Sequence, residues 1–370
     1  MASTFRTVAQ ILTGRGCSEQ LGALVAGLGR RAVLVTGRRA LREAGITDRL
    51  AASLRAAGVQ VTVAEEVEPE PEVATVDRVR AIVRACGAEV VAAAGGGSAM
   101  DVGKAAAALA GEDAPTGEYF SDRPVPAGGL GCVAVPTTAG TGAEVTPNSV
   151  LTDPDRGIKQ SIRVPGILPA AAVVDGELTV PCSPRVTAAA GMDALTQAIE
   201  SYLSVKATPL TEALSLQAAR LIVPALPAAF ADGEDLPARD AMAYGSLLAG
   251  MALANARLGA VHGMAHPIGF LCHAPHGAVC AALLAPVLRF NRDAAGAKYD
   301  TLRDLFAADP ADAVADLLDR LHLPTKLSAL GLKEEMFDAI AAESMPSGSL
   351  AANPRPVSED DVKTLLREVL

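Results

Sequence analysis

The chain changes rhythm once, and that change constrains the fold more than any motif does. Up to about Pro181, short apolar runs alternate with helical patterns. Residues 31–36 form a buried-strand run, 39–57 carry a helical pattern, and 59–67 read as strand. Residues 76–86 read as a helix ended by Gly87, and 89–94 as another strand. Further strands are expected over 131–136, 149–152, 158–164 and 171–175. This β-α-β-α alternation implies a mainly parallel sheet with helices on both faces. Beyond the change, helical patterns are punctuated by Pro and Gly, over 184–204, 209–229, 238–266, 277–291, 311–321 and 358–370. The expectation is an α/β domain over residues 1–180 and an all-α domain over 181–370.

Composition narrows the function. With 50% apolar and 20% charged residues, a chain of 370 residues can bury large cores, and wholesale disorder is excluded. Aromatics make up 3% with no Trp, so stacking platforms for single-stranded nucleic acid are not expected. A net charge of −10 without a Lys/Arg run argues against nucleic acid or an anionic membrane as partner and for a small-molecule substrate. Cys17, Cys86, Cys132, Cys182, Cys272 and Cys280 show no CxxC spacing and read as reduced thiols. No signal-peptide pattern and no run of about 18 apolar residues stand out, so a cytoplasmic location is expected.

Three stretches carry chemistry. Four of the five histidines (His262, His266, His273 and His276) fall within fifteen residues of apolar sequence. His262 and His266 share one helix face, and Pro267 with Gly269 is expected to break that helix so that a loop returns His276. Converging neutral imidazoles suit a divalent metal or proton transfer; singly, each would read as a core histidine. Second, Asp193, Gln197 and Glu200 share a face of an otherwise apolar helix, where a buried carboxylate needs a partner. A surface stripe is the alternative. Third, Gly95-Gly96-Gly97-Ser98-x-x-Asp101-x-x-Lys104 ends a strand and opens a helix, a place where free N–H groups meet a pyrophosphate. Thr137, Thr138 and Thr141 follow another strand. Without a ligand these segments would be a tight turn and a set of helix caps.

Taken with Gly191-Met-Asp-Ala-Leu-Thr196, His262-x-x-x-His266-Pro and Pro275-His276-Gly277, these motifs resemble the iron-containing (group III) alcohol dehydrogenase family. The similarity runs end to end. It implies the dehydroquinate synthase-like fold: an α/β dinucleotide-binding domain followed by an all-α domain, with nucleotide on one side of a cleft and metal and substrate on the other. It further implies that Gly95, Gly96, Gly97 and Ser98 hold the diphosphate. Asp101, Thr137, Thr138, Thr141 and Lys159 would line the nucleotide and nicotinamide. Asp193, His262 and His276 match metal ligands, with His276 also at the cofactor. His266 and Asp101 are the expected catalytic residues, His266 shuttling the proton. A homo-oligomer, a dimer, is implied as well. The position of the family's second metal ligand, a His, holds Gln197, a weak hard donor. This leaves a two-His, one-carboxylate set for Fe²⁺ or Zn²⁺, with lowered affinity.

The expected reaction is hydride transfer between NAD(P)H and a small aldehyde or ketone. Alternatives of the same fold are a metal-independent reductase resembling maleylacetate reductase and a dehydroquinate synthase-like cyclase. The cyclase would need a cationic phosphate site in the helical half, where Arg257 is the only cation near the histidines. At the end of the first strand of the 31–36 run, Gly37 stands where NAD-dependent members carry Asp, with Arg38 and Arg39 beside it. NADP(H) is therefore expected to be preferred over NAD(H).

Overall fold

The computed structural model describes residues 3–120 and 123–370. The chain divides into two compact units, Thr7–Cys182 and Ser183–Leu370, the latter joined by residues 3–6.

In the first unit the strands are β1 (Gln10–Thr13), β2 (Arg31–Gly37), β3 (Gln60–Val67), β4 (Val90–Gly95), β5 (Gly131–Pro136), β6 (Asn148–Asp153), β7 (Ile158–Arg163) and β8 (Ala171–Val174). Six form a parallel sheet in the order β1-β8-β5-β4-β2-β3, and β6 and β7 pair apart as an antiparallel ribbon. The helices are α1 (Leu21–Ala26), α2 (Ala40–Glu43), α3 (Ile46–Ala56), α4 (Val73–Ala85) and α5 (Gly97–Ala108). Strand periodicity explains the layering. Leu34, Ala92 and Ala94 point to the side holding Leu21, Leu50 and Leu54. Their neighbours Val33, Val91 and Ala93 point to the side holding Val76, Val79 and Val102. Central strands buried on both faces therefore read as continuous apolar runs.

Connectivity creates a crevice in this unit. From β2 the chain passes through α2 and α3 to β3 on one side, and it returns through α4 to β4 on the other. The connections diverge beyond the carboxyl ends of β2 and β4, the position where open α/β sheets bind ligands. Gly37 and Gly95 are the last residues of those two strands.

The second unit is helical: α6 (Pro184–Leu203), α7 (Pro209–Ala231), α8 (Leu236–Ala256), α9 (Ala260–Cys272), α10 (His276–Ala295), α11 (Ala297–Phe306), α12 (Pro310–Arg320), α13 (Phe337–Ser344) and α14 (Glu359–Glu368). It departs from the sequence expectation in several places, among them α11 and α13, which lie where no helix is expected. The helix anticipated over 238–266 is two, parted where Arg257 adopts φ 66°. The break expected at Pro267 and Gly269 does not occur, because α9 runs on to Cys272 and ends where His273 turns left-handed at φ 50°. Burial of Met264, Ala265, Ile268 and Gly269 around the proline holds the helix through the one hydrogen bond that proline cannot make. Finally, α7 is long and apolar enough by composition to cross a membrane, which the sequence reading did not anticipate. Here it buries Ala218, Ile222, Leu226 and Ala229 and packs against α6 and α8, as a core helix does.

Candidate functional site

The helical unit brings Asp193, His262 and His276 to one point. Ser183 accepts a hydrogen bond from the Val186 N–H and Pro184 occupies the first turn, so α6 starts there. From Gly191 to Leu203 every residue of α6 is buried, which carries Asp193, Gln197 and Glu200 into the interior together. Gly191 permits this packing, since a Cβ there would lie 2.3 Å from Leu226. His262 Nε2 sits 3.1 Å from Asp193 Oδ1, and His276 Nε2 lies 3.8 Å from the same oxygen. These residues are separated by up to 83 positions in the sequence, so only the helix packing brings them together.

Glu200 fixes the arrangement. Its Oε2 accepts from His262 Nδ1–H at 2.7 Å, leaving Nε2 to face Asp193. Its carboxylate also accepts from the backbone N–H groups of Val261 (2.7 Å) and His262 (3.3 Å), which caps the start of α9. Asn353 Oδ1 accepts from the Ala260 N–H beside it. Glu200 thus sets both the entry of α9 and the imidazole tautomer, the outer role found behind metal-bound histidines. The sequence placed Glu200 on the right helix face without giving it this function.

Cys280 is the residue the sequence reading missed. It lies four positions after His276 on α10 and so on the same face. Its Sγ is 3.6 Å from His276 Nε2 and 3.8 Å from His262 Nε2. One donor atom each from Asp193, His262, His276 and Cys280 lie within 4.8 Å of one another. Gly277 sets the approach of α10 to α6, because a Cβ there would stand 2.2 Å from the Ala189 carbonyl oxygen.

Charge is strongly coupled in this group. Burial opposes ionisation of Asp193, but the hydrogen bond from His262, the two imidazoles and Gln197 hold its carboxyl below the usual range. Burial likewise lowers His262, yet Cys280, Asp193 and Glu200 lift it well above an ordinary imidazole. His276 is raised against its burial by Cys280 and Asp193. The two histidines pull the Cys280 thiol down although burial pushes it up. Gln197 is buried on the same helix face, with its Oε1 lacking a hydrogen-bond partner among the described residues. His266 stacks on His276 with ring centroids 5.2 Å apart at 22°. His273 is exposed at the end of α9, outside the cluster.

In the α/β unit the structure gathers the two glycine- and threonine-bearing segments. Gly95 adopts φ 150°, and a Cβ there would lie 2.7 Å from Ala99. A Cβ on Gly97 would lie 2.8 Å from Thr141 Cγ2 and 2.9 Å from Thr141 Oγ1, and one on Gly96 would lie 3.4 Å from Thr138 Oγ1. The Thr137 N–H donates to the Gly95 carbonyl at 2.9 Å, locking the two turns together. Helix α5 begins after Gly96 with no side-chain cap, so its first N–H groups, Ser98 among them, are not taken by a capping side chain. Asp101 and Lys104 have different surroundings from those the motif suggests. Asp101 Oδ1 pairs with Lys104 Nζ at 2.8 Å and Oδ2 accepts from the Val150 N–H at 2.9 Å. Lys104 is buried and also donates to the carbonyls of Ala143 (2.9 Å), Thr146 (3.4 Å) and Asn148. The pair ties α5 to the loop before β6. Lys159 pairs with Glu70. Arg38 donates to the Glu66 carbonyl and pairs with Glu68 at 2.9 Å, and Arg39 pairs with Glu43.

Known proteins resolve the family. Residues 9–176 match the model described as iron-containing alcohol dehydrogenase, and residues 187–370 match that of the Fe-containing alcohol dehydrogenase family, C-terminal. The chain belongs to the iron-containing alcohol dehydrogenase family. A sulfoacetaldehyde reductase of Bilophila wadsworthia is 35% identical, over 99% of this chain and 98% of its own length. A crystal structure of a 1,3-propanediol oxidoreductase superposes over 100% of both chains with a TM-score of 0.96 at 34% identity. The sulfoacetaldehyde reductase of Bifidobacterium kashiwanohense, solved in complex with NAD+, superposes over 100% of this chain and 99% of its own with a TM-score of 0.92 at 32% identity. The α/β-then-helical fold expected from the sequence is therefore established. So is the activity class: the enzyme is an oxidoreductase that interconverts alcohols and carbonyl compounds with NAD(P)H.

Proposed function

We propose that the enzyme reduces a small aldehyde with NADPH in preference to NADH, aided by a divalent metal held by Asp193, His262 and His276. One observation carries the metal reading: both imidazole nitrogens lie within 3.8 Å of the Asp193 carboxylate, and Glu200 holds His262 with its other nitrogen facing inward. The donor set fits a divalent cation, being two imidazole nitrogens that would give up their protons on binding and a hard oxygen in a buried pocket, a recognised two-His, one-carboxylate arrangement.

When bound, the metal polarises the substrate carbonyl as a Lewis acid, and the reduced nicotinamide supplies the hydride. The protein does the rest. Glu200 keeps His262 in the tautomer that offers Nε2. His266, stacked on His276, takes the role of proton donor to the oxygen formed on reduction, as general acid. In the α/β unit, the uncapped N-terminus of α5 with Gly95, Gly96, Gly97 and Ser98 holds the diphosphate. Thr137, Thr138 and Thr141 crowd the same turn and hold the nucleotide there. Asp101, with both oxygens engaged, together with Lys104 fixes the turn. Gly37 supports the NADPH preference because it presents no carboxylate at the end of β2; Arg38 adjoins it and would exchange its Glu68 partner for a 2′-phosphate.

The test compares kcat/KM for NADPH and NADH across a panel of small aldehydes, beside metal analysis of protein purified without chelator. NADPH ahead, with stoichiometric divalent metal whose removal abolishes turnover, is the expected result. Equal or reversed cofactor ratios overturn the cofactor assignment, and full activity in metal-free protein overturns the metal assignment.

A further inference from the structure

Beyond the three donors of the proposed metal site, we propose that the Cys280 thiolate is a fourth, making an Asp-His-His-Cys site with the ligand chemistry of zinc or cobalt. The inference rests on the metal reading above and deepens it; with four protein donors, the substrate oxygen would enter as a fifth ligand. A tetrahedral site with nitrogen and oxygen donors at about 2.0–2.1 Å has edges of about 3.3 Å, and edges from a sulfur at about 2.3 Å are near 3.6 Å. The four separations the structure defines are 3.1 Å (Asp193 to His262), 3.8 Å (Asp193 to His276), 3.8 Å (Cys280 to His262) and 3.6 Å (Cys280 to His276). Each of these four lies within about half an ångström of its tetrahedral edge, and the two remaining separations, Asp193 to Cys280 and His262 to His276, are at most 4.8 Å.

Two further observations place the thiol in the site. Cys280 is fully buried, and among the described residues its polar contacts are with the two histidines. The position one helical turn after Asp193 is filled by Gln197, a buried amide in place of an imidazole. The vertex is thus supplied from α10, where Cys280 and His276 stand one turn apart on one face. A soft thiolate among two imidazoles shifts preference toward zinc and cobalt over the harder ions that an all-oxygen and nitrogen site favours. On binding, the thiol proton leaves to solvent and the sulfur lone pair forms the bond, with no redox change.

The test uses the full-length protein, stripped by chelator and titrated with Co²⁺. The expected result is a 1:1 complex with a near-ultraviolet thiolate-to-cobalt charge-transfer band. Cys280→Ser is expected to lose that band and to bind Co²⁺ roughly 10–100-fold more weakly, while Cys272→Ser keeps it. X-ray absorption on zinc-loaded wild type needs no variant to fold, and is expected to show one sulfur at about 2.3 Å beside nitrogen and oxygen near 2.0 Å. Bound cobalt without the band, and bound zinc with no sulfur neighbour, overturn the Cys280 assignment and leave the three-donor metal site standing. Failure of the stripped protein to bind either ion overturns both.

Discussion

Glu144 offers a quantitative check on the α/β unit. It is buried just after the threonine-rich turn, and burial raises its carboxyl to about 7, against the pull of its own backbone N–H and of Lys104. The unfolded chain ionises near the ordinary value of 4.5. Because the folded state holds the proton more tightly, this group favours folding most below about pH 4.5, and the advantage is lost as pH rises through about 7. The interval, at about 1.4 kcal/mol per pH unit, amounts to about 3 kcal/mol. Glu144→Gln replaces the carboxyl with a neutral group of the same shape and removes that dependence. Urea unfolding of both proteins from pH 4.5 to 8.5 is expected to show the variant gaining on the wild type by about 2–4 kcal/mol across the window. Other titrating groups cancel in the difference. A variant that instead loses ground as pH rises would show that Glu144 is ionised and paired with Lys104, and would refute the reasoning.

Three further predictions test the sites separately. Gly37→Asp has room, since a Cβ there meets only the Val67 carbonyl oxygen at 3.7 Å; it should shift the NADPH:NADH ratio of kcat/KM toward NADH by roughly ten-fold or more, and an unchanged ratio refutes the Gly37 and Arg38 assignment. Gly97→Ala pushes a methyl into Thr141 and should raise KM for the cofactor with less change in kcat; an unchanged KM means the turn does not hold the diphosphate. Glu200→Gln should weaken metal binding roughly 10–100-fold in a competitive chelator titration; unaltered affinity would show that His262 needs no orienting partner.

Much of the fold was legible because its signals are periodic. The apolar runs at β2, β4 and β5 match the strands expected over 31–36, 89–94 and 131–136 closely, since both faces of each are buried. β1 was not legible: Gln10-Ile-Leu-Thr13 is four residues long, half-exposed and at the sheet edge. The strands β6 and β7 were readable as strands, but nothing in their residues showed that they pair with each other and not with the sheet. The single helix expected over 39–57 is broken at Gly45, which adopts φ 71°, and the break at Arg257 needs a positive φ from a residue that rarely takes one. In the site, Asp193, Gln197 and Glu200 were visible from spacing on one face. Cys280 was not, because its role depends on the crossing of α10 with α6 and α9, and cysteines were weighed for CxxC spacing alone.

The contact between Gly277 and Ala189 has a consequence for how such a site changes over time. The spacing between α6 and α10 there is set by main chain against main chain, with no side chain interposed. Asp193 stands one turn beyond Ala189, and His276 adjoins Gly277. The distance across the pocket is therefore a property of the scaffold and is indifferent to which donors project into it. An amide can replace an imidazole on one helix and a thiol can stand in on the other without the walls moving. Any side chain larger than hydrogen at position 277 would open the gap and loosen every donor at once. Ligand identity is free to drift in this architecture; the gauge that sizes the cavity is not.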